Sequence, residues 1–365
     1  MKNGRTLSIV MIALVCAAVL APKIFKSHRT NSQDASRASN GSPATPSQRL
    51  VSVGDVHNAL LKESNPDRTK TLLADWQTLL RSLPPEAAAK MIRDFLETKK
   101  DAPTHLPFAL APGGSLKSAP TLRTFLLDEL ARVDKRGATA EAKAILTGWS
   151  SPEEWALALR NYAQGSTEPA KDAYLTDRMR QLLHYEPWQA DPSAGYLESF
   201  DVAVYLGGTN FTPALCDLAR RKDNQALAHA SYLALDRLTL ANTTDTLQLL
   251  QSQPELLSGR EETRANFFAR ADVGQSAQRQ IIESYLLNPK LSGAELQTFA
   301  GLFPNANYMV SYNLLTPVNT PDGATLAQRD ARALQAVNDW LADERFSRMK
   351  PQLEAMRARI ESYRK

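Results

Sequence analysis

From Asp55 onward, apolar residues return every three or four positions, in runs punctuated by prolines and helix-capping signals. A body patterned this way buries its apolar stripes by setting helix on helix. Asn65-Pro66 supplies a cap followed by proline at the first helical position. Leu72, Leu73, Trp76, Leu79, Leu80 and Leu83 then share a face. Pro84-Pro85 opens a second helix with Ala88, Met91, Ile92, Phe95 and Leu96 on one side. Residues 100–117 are a Pro/Gly-rich loop, and Leu122, Phe125, Leu126, Leu130 and Val133 mark the next helix. Three Ser-x-x-Glu boxes (Ser151–Glu154, Ser258–Glu261 and Ser292–Glu295) each stand before an aromatic or aliphatic run. There a hydroxyl can take up a free amide and the Glu can answer it.

The same period predicts helices near 168–184, 193–206, 211–221, 224–240, 275–286 and 323–342. Only Tyr308–Tyr312 tempts a strand assignment. Residues 211–221 with 224–240, and 261–271 with 275–286, are expected to form antiparallel hairpins. In this style residues 52–310 resemble the α-solenoid (HEAT- and TPR-like helical-repeat) class of membrane-anchored bacterial envelope proteins. Neither a fixed period of about 34 or 40 residues nor the Trp-Leu-Gly-Tyr consensus of such repeats is present. The resemblance implies an all-α fold, an irregular α-solenoid of antiparallel helix pairs, with a long concave face for a partner. A compact helical domain is the alternative.

The N-terminus reads as an address. Lys2 and Arg5 precede an uncharged run from Thr6 to Pro22, and Lys23, Lys26, His28 and Arg29 follow it. Such a run lies at the boundary between a signal-peptide core and a minimal membrane helix. It lacks a polar face, which argues against a buried core helix. Residues 1–29 are therefore expected to be a single-pass signal anchor in the bacterial inner membrane, with the body in the periplasm. Cleavage after Val19-Leu-Ala21 and lipidation at Cys16 are alternatives. Residues 30–50 are rich in Ser, Asn, Pro and Thr and cannot bury enough surface to order themselves, so they are expected to be a flexible linker. The helical-repeat-like body then spans 51–310 and a C-terminal helical region spans 311–365.

Charge follows this division. The net charge is +4, but residues 1–30 carry +5, residues 344–365 carry +4 and the remainder carries −5. The basic character sits at the two ends and not on a stripe of the body, which argues against a nucleic-acid partner.

Chemistry-bearing residues are few and scattered. No two of His28, His57, His105, His184 and His229 lie at metal-ligand spacing, and no nucleophile motif occurs. His229 reads as a core or groove histidine and His184 as a helix-end cation. Cys216, the body's single thiol, lies among apolar helical residues and is expected to be buried and inert. Gly207-Gly208 reads as a helix C-cap. The acidic pairs Glu153-Glu154 and Glu261-Glu262 sit at helix starts, where the dipole accounts for them. Phe346, Met349, Leu353, Met356, Ile360 and Tyr363 form a heptad-like seam over 345–365, expected to cap the body's end; a partner-binding or self-associating helix, or contact with anionic lipid, are the alternatives. No catalytic, cofactor or metal residue is assigned. The expected function is a non-catalytic, membrane-tethered interaction module with a protein partner. The alternative is an enzyme, or an enzyme's accessory subunit, whose site the sequence does not reveal.

Overall fold

A computed structural model of the chain describes residues 52–167, 172–309, 311–318 and 320–363. The expected membrane segment 1–29 and linker 30–50 lie outside the described residues. No described helix is long and apolar enough to cross a membrane.

The described chain is all-α apart from one small hairpin. Its helices are α1 (Val53–Leu60), α2 (Pro66–Ser82), α3 (Pro85–Glu97), α4 (Leu122–Val133), α5 (Lys135–Ile145), α6 (Pro152–Gly165), α7 (Ala173–Leu183), α8 (Glu186–Ala190) and α9 (Ala194–Glu198). There follow α10 (Asp201–Leu206), α11 (Thr212–Ala219), α12 (Gln225–Ala241), α13 (Thr243–Ser252), α14 (Glu261–Phe268), α15 (Ser276–Leu286), α16 (Gly293–Leu302), α17 (Gly323–Ala342) and α18 (Lys350–Ser362). Within the loop expected at 100–117, β1 (Ala109–Leu110) and β2 (Leu116–Ser118) pair antiparallel. Tyr308, Met309, Ser311 and Tyr312 belong to no strand. They lie in an irregular connection between α16 and α17.

Local chemistry explains most helix starts. The Asn65 side chain accepts from the amides of Asp67 and Arg68. Ser151 caps α6 through the Glu154 amide and Ser292 caps α16 through the Glu295 amide. The box expected at Ser258–Glu261 does not form. Ser258 ends a short 3-10 turn and Gly259 takes φ +72°, so α14 starts after Arg260 without a side-chain cap. Glycine is needed there because that left-handed conformation strains other residues.

The hairpin expected at 211–240 is present, with α11 set against α12. The one expected at 261–286 is not the main pairing: α14 lies chiefly on α16, and α15 on α13. The C-terminal seam faces inward onto α16 and α17. Phe346, Met349, Leu353, Met356 and Ile360 are all buried, while Tyr363 is exposed. One continuous apolar core runs from Val53 to Ile360.

Buried ion pairs tie these helices together. Arg123 on α4 grips Glu154 on α6, 31 residues on, and Arg264 on α14 grips Glu295 on α16 at the same offset. Both glutamates occupy the third helical position of a capped helix, but their carboxylates go to these arginines and not back to the serine. Arg160 on α6 returns to Asp128 on α4 at 2.6 Å. Arg237 on α12 reaches Asp201 on α10, and Arg270, just past α14, takes Asp236 on α12 with two bonds. A desolvated charge is tolerable only with such a partner.

Candidate functional site

Each residue singled out from sequence has an ordinary structural place. Cys216 is fully buried in α11, and burial pushes its thiol up to about 12, where it is no nucleophile. His229 on α12 is half-buried, its Nε2 has no partner, and burial lowers its pKa. Gly207, with φ +72°, terminates α10 as a C-cap should. His184 is the residue that ends α7. Trp149 is partly exposed, yet it stacks on Trp155 at 4.2 Å and on Tyr185 at 3.8 Å, so its ring faces are not a free platform.

Open depressions lie elsewhere. One of about 430 Å³ is lined by Arg93, Asp134, Arg136 and Glu141, and one of about 600 Å³ by Gln251, Gln280, Glu283 and Arg345. Among the described residues no group of three metal-ligating side chains converges.

The unusual feature is the connection between α16 and α17. It leaves α16 at Phe303 and travels back across α14, α12 and α10 as far as the β1–β2 hairpin. At its start the Asn305 amide donates to the carbonyl of Ala269 at 2.8 Å. The Asn305 side chain donates to Asn266, which in turn donates to the Tyr232 hydroxyl. Arg270, already paired with Asp236, donates to the carbonyl of Asn307 and lies 5.6 Å from the Tyr308 ring.

At its far end the segment is held by one carboxylate. Asp201 is 1% exposed. Its Oδ2 accepts from the amides of Leu315 at 2.6 Å and Thr316 at 2.9 Å, and its Oδ1 accepts from the Thr316 hydroxyl and from Arg237. Leu314 is fully buried. Its carbonyl comes so close to Gly114 that a Cβ there would stand 2.1 Å away, and Gly114 takes φ +78°. Arg160 fixes the hairpin from the other side by donating to the Gly114 carbonyl at 2.7 Å.

Asp201 and Arg270 therefore bind the segment's backbone, through two amides of a bend and one carbonyl, while Arg237 and Asn266 meet its side chains. Glu198, one turn before Asp201, is half-buried; burial pushes its carboxyl up to about 7, with Arg237 opposing and Asp201 reinforcing the shift.

Sequence reasoning missed these residues. The signal available was charge inside apolar helix: Leu235-Asp-Arg-Leu238 is a pair of opposite charges in an otherwise buried run. The chain matches no protein-family model, no curated protein and no solved structure.

Proposed function

We propose that this chain is a non-catalytic interaction module, held at the bacterial inner membrane by residues 1–29 and displayed in the periplasm on the 30–50 linker. Its helices form an irregular α-solenoid of antiparallel pairs, and its recognition surface is the face built by α10, α12 and α14. One observation carries this reading: that face holds the non-helical residues 305–316 partly through main-chain groups, which another polypeptide that takes the same bend can offer. Arginine–carboxylate ties between helices two apart in the chain support the stacked arrangement.

The test has two arms. A photo-crosslinking residue replaces Tyr232, which lies beside the bound segment, in cells producing the full chain. A discrete adduct with one other polypeptide is expected, and adducts confined to the chain itself would sink the reading. For the address, the full-length chain should fractionate with membranes, and protease added to spheroplasts should digest the body. A body that survives lies in the cytoplasm.

The enzyme alternative has one observation in its favour, the Glu198 carboxyl poised near neutrality. No nucleophile or second acid–base group bonds to it among the described residues.

A further inference from the structure

Building on that reading of the α10–α12–α14 face, we infer that residues 305–316 are an intramolecular occupant of the partner's place. The partner is a polypeptide segment that bends at Asp201 as they do and must displace them. It carries an apolar residue, then any residue, then Ser or Thr, with an aromatic side chain about six positions before the apolar one.

The motif follows from what each contact asks of its occupant. Asp201 requires two successive amides, the second from a residue with a hydroxyl, as Leu315 and Thr316 supply. Gly114 leaves room for the backbone carbonyl of the residue two positions before that hydroxyl, and that residue's own side chain is buried in the core and must be apolar, as Leu314 is. Arg270 requires a carbonyl and an aromatic ring next to each other, as Asn307 and Tyr308 provide.

The occupant is also the part of this neighbourhood best suited to leave. Among the described residues between Asn305 and Thr316, Leu314 is the one apolar side chain fully buried in the core, with Leu315 packed partly against it. Tyr312, within the stretch, is 56% exposed, and Val318, two residues past it, is 39% exposed. Segments with little buried apolar area open at lower free energy than the helices they cover. The helices beneath keep their own core and their own arginine ties when the segment lifts. Asp201 retains Arg237, and Asp236 retains Arg270.

The experiment uses the full-length chain and, as probe, a labelled synthetic peptide of residues 303–318. Binding is measured by fluorescence anisotropy to the wild type, to Leu314→Ser and to Leu314→Ser with Asp201→Asn. Hydrogen exchange on each protein verifies that the helices are intact, and Thr316→Ala replaces Leu314→Ser if that variant does not fold. The peptide should bind Leu314→Ser at least about tenfold more tightly than the wild type, because apparent affinity scales with the open fraction. Asp201→Asn should abolish the gain. Excess peptide should also speed exchange at the wild-type Leu315 and Thr316 amides. Equal, Asp201-dependent affinity for wild type and Leu314→Ser would overturn the inhibitory role and leave the recognition face standing. No binding to any variant, with the segment shown by exchange to be released, would overturn both.

Discussion

Removing the Asp236 carboxylate tests whether the arginine ties hold the helices together or merely decorate them. Asp236 is 1% exposed and Arg270 5%, and the two groups meet through bonds of 3.0 and 2.8 Å. Burial holds the Asp236 carboxyl above its ordinary value, with Arg270 pulling the other way, so desolvation outweighs attraction at this site. Two consequences follow. Asp236→Ala strands a guanidinium in the core and should cost about 3–5 kcal/mol, a large share of the roughly 5–15 kcal/mol that stabilises an ordinary domain. Replacing both charges, as in Asp236→Leu with Arg270→Met, removes the same hydrogen bonds but also both desolvation costs. It should return to within about 1 kcal/mol of wild type, or exceed it. Urea unfolding followed by far-UV circular dichroism reads both, the midpoint shifting at unchanged slope. If Asp236→Ala costs less than about 1 kcal/mol, as exposed pairs do, the pair is hydrated in solution and the reasoning fails.

Other outcomes are expected. Leu353→Ala should cost about 2–5 kcal/mol, equally at all protein concentrations, since Leu353 is buried against its own chain; a wild-type midpoint that rises with concentration would instead mark the seam as an interface between chains. Because the Glu198 carboxyl is raised to about 7, its contribution to stability is fully present below its unfolded value near 4.5 and is lost as pH rises through 7. Glu198→Gln should thus be near neutral at pH 4 and stabilising by about 1–3 kcal/mol at pH 8; an effect of the same size at both pH values refutes the shift. Gly113→Ala, at φ +80° with open space around it, should show backbone strain alone, whereas Gly114→Ala also strikes the Leu314 carbonyl. Amide exchange at Leu315 and Thr316 should accelerate in the second variant and not in the first.

Local chemistry was legible in the sequence and long-range partnership was not. Caps at Asn65, Ser151 and Ser292 depend on residues within one turn, and the structure has them. The inward face of the 346–360 seam followed from its spacing alone. Periodicity, however, says which side of a helix is buried and not which helix it meets. That is why α14 was expected on α15 and lies on α16. The glutamates of the Ser-x-x-Glu boxes had a sufficient local explanation, which hid their pairing with arginines 31 residues upstream. Ser258 fitted the same pattern, but Gly259 spent it on a turn. The site was harder still, because Asp201 and its amide donors are 114 and 115 residues apart. No pattern within a window of a few turns joins them.

That separation also sets a clock. A ribosome adds roughly 5–20 residues per second, so Arg123 waits about 2–6 seconds for Glu154 to be made. Asp201 acquires Arg237 after 36 residues, on a similar scale. Its two amide donors follow only after 114 residues, about 6–23 seconds behind it. For the last 45 residues of that interval, from Arg270 to Leu315, about 2–9 seconds, the growing chain possesses α10, α12 and α14 but not the segment that covers them. During synthesis every molecule passes through a stage in which the face is made and its cover is not.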